Sequence, residues 1–148
     1  METILAPLPL GTSDFSALRK SGQIYVDKTR LIYTLASKRQ KFFLSRPRRF
    51  GKSLLLSTFE SLFKYGLRDF HGLEIESLWK DENTYQVIRL DFSNLKDFSS
   101  VEEFSELLDQ YLLDTLTVNR LVSPIKTDKE GLRAFIGWLA LQATAFSR

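Results

Sequence analysis

Residues 41–56 read Lys41-Phe42-Phe43-Leu44-Ser45-Arg46-Pro47-Arg48-Arg49-Phe50-Gly51-Lys52-Ser53-Leu54-Leu55-Leu56. The apolar, aromatic centre of residues 41–45 has strand length, and Pro47 prevents a central strand from continuing. From Lys52 onward Leu55, Phe59 and Leu62 recur at helical spacing, joined by Leu56 and Phe63, until Gly66 supplies a stop. The order is strand, basic loop, helix, with Gly-Lys-Ser at the loop–helix junction. A phosphate-binding loop puts its lysine and its magnesium-binding hydroxyl at that junction. The full pattern G-x-x-x-x-G-K-[ST] asks for glycine at position 46, where this chain has Arg46.

Each part of that junction has a chemical purpose. Backbone N–H groups at the positive end of a helix dipole attract phosphate oxygens, and glycine lets the backbone approach with φ > 0. A lysine reaches the β- and γ-phosphates while the next hydroxyl holds magnesium. Gly51, Lys52 and Ser53 supply this half of the arrangement. Arg46, Arg48 and Arg49 either offer guanidinium groups to phosphates or face acidic neighbours or another subunit. The sequence leaves these alternatives open, and also a plain strand–turn–helix in which Lys52 points to solvent. The candidate cofactor-binding set is Arg46, Arg48, Arg49, Phe50, Gly51, Lys52, Ser53 and Leu54, with Ser53 as the magnesium ligand.

Charge is concentrated around the same loop. Nine of the 21 basic residues fall between Lys28 and Phe59, a window without a single acid, whereas acids outnumber bases in the rest of the chain. Such a field suits an anionic ligand, either a nucleotide or a nucleic acid. The alternative function is therefore a basic nucleic-acid-binding or interaction module without nucleotide turnover, and a solvated basic face is the bland account of Lys38, Arg39 and Lys41.

With 148 residues and 43% hydrophobic content, the chain can bury an ordinary core. No apolar run approaches the ~20 residues of a membrane span, and residues 1–10 lack the basic start of a secretory signal. The absence of cysteine excludes disulfides, zinc–cysteine sites and thiol catalysis, and makes the cytoplasm the default compartment. His71, the single histidine, lacks partners for a metal site and reads as a surface or loop residue. Trp79, Trp138 and the phenylalanines read as packing residues.

The remaining segments set the domain organisation. Residues 1–13, with Pro7, Pro9 and Gly11, look like an irregular leader. A short helix follows from Asp14 to Lys20. Residues 24–26 are apolar and partly β-branched, and Asp27 can cap a helix reaching Lys38. Residues 85–92 make a second strand candidate. Ser100 with Glu103 forms a capping box for a helix to about Val118, whose stripe includes Phe104, Leu107, Leu108, Tyr111 and Leu112. Thr127 with Glu130 opens another, carrying Leu132, Phe135, Ile136, Leu139 and Ala143. The alternation predicts an α/β layered fold with a parallel sheet, and with the Gly-Lys-Ser loop the expected fold class is a P-loop NTPase-like parallel sheet with flanking helices. Two strands are few for such a sheet, so residues 14–148 read as the N-terminal part of a longer domain.

The segments Gln23-Ile24-Tyr25-Val26-Asp27-Lys28-Thr29 and Ser45-Arg46-Pro47-Arg48-Arg49-Phe50-Gly51-Lys52-Ser53 resemble the bacterial AAA-ATPase-like family, whose members are often fused to a C-terminal PD-(D/E)XK nuclease-like domain. Residues 87–93, Val-Ile-Arg-Leu-Asp-Phe-Ser, resemble that family's next strand. In the family arginine takes the place of the first glycine, so Arg46 is its ordinary form. The resemblance implies ATP and magnesium binding through Lys52 and Ser53, with the Tyr25–Thr29 segment near the adenine. It also implies a nucleic-acid partner for a fused nuclease-like domain. Hydrolysis needs an acid at the end of a second apolar strand. Asp91 is the one candidate here, and Arg89 interrupts its apolar run. By the resemblance, the family's acidic motif would lie beyond residue 148, which makes turnover by this chain alone unexpected.

Overall fold

The computed structural model describes residues 6–38, 40–119 and 137. The chain divides into two compact units, Met1–Val87 and Ile88–Arg148. The expected helix from Thr127, Trp138 and Arg39 lie outside the described residues.

In the first unit α1 spans Phe15–Lys20, α2 Thr29–Ser37, α3 Lys52–Tyr65 and α4 Ile75–Leu78, with a 3₁₀ turn at Gly66–Asp69. The helix ends follow from local chemistry. The Asp14 carboxylate accepts from the Ala17 N–H at 2.6 Å and caps α1. Asp27 sits just ahead of α2 and accepts from both the Thr29 N–H, at 2.8 Å, and the Thr29 hydroxyl, at 2.7 Å. Gly66, at φ 63°, ends α3 at the residue where the pattern stops.

The core gathers Phe15, Ile32, Leu62, Phe70, Leu73, Ile75 and Trp79. Phe15 packs 4.7 Å from the Phe70 ring and edge-on to Tyr25 at 5.2 Å. The expectation that Trp79 is a packing residue holds: it meets Phe63 edge-on at 5.9 Å.

The expected parallel sheet is corrected. Among the described residues there is no strand at all, and the apolar stretches at 24–26, 41–45 and 85–91 are non-helical backbone without a ladder. A strand is stabilised by its neighbour's N–H and C=O groups, and in two of these stretches an amide bonds elsewhere. The Ile24 N–H donates to the Pro7 carbonyl at 3.0 Å and the Tyr85 N–H to the Phe63 carbonyl of α3 at 2.7 Å. The phenylalanines are likewise not all core, since Phe42 is 51% and Phe43 95% exposed.

A buried carboxylate joins α3 to the 3₁₀ turn. Asp69 accepts from the Ser61 hydroxyl at 2.8 Å and from Arg68 Nε at 3.2 Å and Nη2 at 3.1 Å. Arg19 of α1 donates to the Asp69 carbonyl at 3.1 Å and to the His71 carbonyl at 2.5 Å. Burial pushes the Asp69 carboxyl upward, but the hydrogen bonds from Arg68 and Ser61 outweigh it and hold the group at about 2. A lowered carboxyl stabilises the fold above its unfolded pKa near 4, and that contribution fades as pH falls toward 2. We therefore expect Asp69→Asn to cost about 2 kcal/mol at pH 7. The gap from wild type should close between pH 4 and 2 in urea denaturation, and a gap that stays constant with pH would refute the linkage.

In the second unit α5 spans Val101–Val118 and a 3₁₀ turn covers Phe92–Asn94. The Ser100 hydroxyl caps α5 by accepting from the Glu103 N–H at 3.1 Å. Glu103 reaches back to the Ser99 N–H at 2.7 Å, one residue earlier than a standard capping box would place it. Tyr111, on the expected stripe, packs 5.9 Å from the Phe92 ring, and Phe104 4.9 Å from Phe98.

Candidate phosphate-binding site

The start of α3 is built on a glycine conformation. Gly51 is the N-cap with φ 71° and ψ 20°, in the left-handed region where a Cβ would be strained. Its carbonyl accepts from the Leu55 N–H at 2.9 Å, so the first helical hydrogen bond is in place. No side chain caps this end. The N–H groups of residues 52–54 therefore stay available at the positive end of a 14-residue helix. Arg49 is also left-handed, at φ 66°, a conformation that costs a residue with a Cβ about 1–2 kcal/mol. Left-handed residues at 49 and 51 thus flank Phe50 just ahead of the helix start.

Lys52 folds back toward the first position of the loop. Its Nζ donates to the Arg46 carbonyl at 2.8 Å, tying the first position of the loop to the start of the helix. The side chain is exposed but tethered, unlike a lysine simply reaching into solvent. Arg46, Arg48 and Arg49 are exposed, and among the described residues none of them has an acidic partner. Arg30, by contrast, pairs with Glu74 at 2.5 Å.

Two cavities flank the helix start and share Gly51 and Leu54. One, of about 590 Å³, lies between residues 11–13 on one side and Arg49 and residues 51–54 on the other, with no carboxylate in its lining. The other, of about 270 Å³, is mostly apolar, with Tyr25, Lys28, Arg46 and Phe50 among its walls. Residues 11–13 are the part of this site that sequence reasoning missed. In sequence they read as an irregular leader, and no spacing signal marks them.

The Tyr25–Thr29 segment has a second task beyond lining the apolar cavity. Burial raises the Tyr25 hydroxyl above its ordinary pKa despite a hydrogen bond with Thr58 of α3. The Asp27 carboxylate also accepts from the Glu74 N–H at 2.8 Å, and the Thr29 hydroxyl accepts from the Ile75 N–H at 3.0 Å. The same two side chains thus open α2 and dock α4. Burial pushes the Asp27 carboxyl up, but the hydrogen bonds from Glu74 and Thr29 outweigh it and leave it lowered.

Asp91 belongs to the second unit and caps the 3₁₀ turn, accepting from the Ser93 N–H at 3.0 Å. That hydrogen bond holds its carboxyl below the usual range. The Asp91 N–H donates to the Tyr111 hydroxyl at 2.7 Å. Its observed work is local capping. His71 is exposed and lies 2.9 Å from Glu76, in keeping with a surface role. Among the described residues no cluster of His, Asp and Glu side chains could hold a metal ion unaided.

Residues 9–140 match the AAA-ATPase-like family, described as "Predicted AAA-ATPase". The chain is also 34% identical over 139 residues to the "Uncharacterized protein in vnfD 5'region" of Azotobacter chroococcum mcd 1, covering 93% of this chain and 26% of that protein. It therefore spans about a quarter of the length of the curated relative it matches. No solved structure matches the chain.

Proposed function

The chain belongs to the AAA-ATPase-like family, and from that premise we propose that the loop of residues 46–53 binds the phosphates of ATP with magnesium. The observation carrying this reading is the uncapped, glycine-started α3 with Lys52 tethered across the loop. On binding, the amides of residues 52–54 and the Lys52 ammonium meet the phosphate oxygens. The Ser53 hydroxyl would hold the magnesium ion, which would supply positive charge to neutralise the phosphates. Arg46, Arg48 and Arg49 add charge-assisted hydrogen bonds at the rim. The base takes the apolar cavity beside Tyr25 and Lys28, which adjoins the phosphate cavity at Gly51. The reading is binding rather than turnover, because the phosphate cavity has no carboxylate to position water. Calorimetric titration with Mg-ATP tests it: saturable binding is expected, and none at millimolar ligand would refute it.

A nucleic-acid reading has one observation in its favour, the exposed Arg46, Arg48 and Arg49 without acidic partners among the described residues. It requires binding to DNA or RNA that weakens steeply with salt. No binding at low salt removes it. Two further elements belong to the proposed function. A C-terminal nuclease-like domain in the longer protein has room in the relative's greater length, and a nuclease assay on that full-length relative checks it. A cytoplasmic location rests on the cysteine-free composition, and cell fractionation checks it. Among the described residues no helix is long and apolar enough to cross a membrane.

A further inference from the structure

We propose that residues 11–13 form the second wall of the phosphate site, with the Ser13 hydroxyl donating to the phosphate chain from the side facing Lys52. The inference rests on the phosphate-loop reading above and extends it to a segment the motif does not contain.

The placement follows from long-range hydrogen bonds. The Phe15 N–H donates to the Ser57 hydroxyl of α3 at 2.9 Å in a buried contact. Ser57 and Ser53 lie one helical turn apart on the same face. The chain running back from Phe15 therefore follows that face toward the helix start, and residues 11–13 share the 590 Å³ cavity with Lys52 and Ser53. Two further contacts fix the segment. The Thr12 hydroxyl donates to Gln23 Oε1 at 3.2 Å, and the Pro7 carbonyl accepts from the Ile24 N–H at 3.0 Å.

The two hydroxyls then differ in what they can do. Thr12 has its proton committed to Gln23, so it positions the segment. Ser13 is exposed and has no partner among the described residues, so its O–H is available to a phosphate oxygen. A hydroxyl donating to an anionic oxygen is a charge-assisted bond, stronger than a neutral one. With no carboxylate in the cavity lining, nothing there opposes the approach of an anion.

The test titrates this chain with Mg-ATP and, separately, with magnesium tripolyphosphate, a probe that has phosphates but no nucleoside. Ser13→Ala should weaken both ligands about tenfold and leave the melting temperature of the free protein unchanged. Ser13→Thr should restore binding. Thr12→Val should weaken both ligands and Thr12→Ser should recover them, a rescue that follows the tether rather than bulk. Ser13→Ala binding like wild type, while Lys52→Ala loses binding, overturns this inference and leaves the loop reading intact. Weakening of Mg-ATP alone places the hydroxyl on the nucleoside and also overturns it. Wild type that binds neither ligand refutes the loop reading itself.

Discussion

In the Lys52→Ala chain, Mg-ATP should barely raise the melting temperature. A ligand present at about 100 times its Kd stabilises the folded state by roughly 2.7 kcal/mol. On the proposed reading, the ammonium tethered over the loop at 2.8 Å from the Arg46 carbonyl is the cation that meets the phosphates. Its loss should weaken binding about 100-fold, which brings the ligand down to its Kd and leaves only about 0.4 kcal/mol of stabilisation. The free protein should barely change, because the Arg46 carbonyl lies in an exposed loop where water replaces the lysine. Lys52→Arg should not restore binding, since a planar fork replaces a compact charge. Equal thermal shifts in wild type and Lys52→Ala would refute the assignment.

Legibility from sequence tracked whether a feature is local. Asp14, Gly51, Gly66 and Ser100 mark helix ends through bonds that span three or four residues, and α1, α3 and α5 start and stop where those residues place them. The sheet failed because a strand is defined by a partner, and composition cannot name the partner. Residues 85–91 look like a strand, yet the Tyr85 amide goes to the Phe63 carbonyl and the Asp91 amide to the Tyr111 hydroxyl. The same limit divided the site. The Gly51-Lys52-Ser53 junction was readable because the glycine, lysine and hydroxyl are consecutive. Residues 11–13 were not, because what brings them there is a bond between Phe15 and Ser57, 42 residues apart. Asp27 is legible in sequence as a helix cap, but the docking of α4 by Asp27 and Thr29 likewise spans 47 and 46 residues.

Phe15 is where the stability of the first unit and the geometry of the site meet. Its ring is 0% exposed and packs on both Phe70 and Tyr25. Removing a fully buried phenylalanine costs about 3–5 kcal/mol, from lost transfer energy and the cavity left behind. That is a large share of the roughly 5–15 kcal/mol that holds a domain together. Phe15→Ala should therefore lower the urea midpoint sharply, while Phe15→Leu, which keeps most of the volume, should cost only about 1–1.5 kcal/mol of unfolding free energy. The backbone N–H that holds Ser57 survives both changes, but the packing that keeps it beside α3 survives only in the leucine variant. Mg-ATP affinity measured on the still-folded fraction should accordingly fall in Phe15→Ala and stay near wild type in Phe15→Leu. Such a split would tie the second wall of the site to the core through one residue. A stability loss below about 1 kcal/mol in Phe15→Ala would mean that the ring is not the anchor that brings residues 11–13 to the loop.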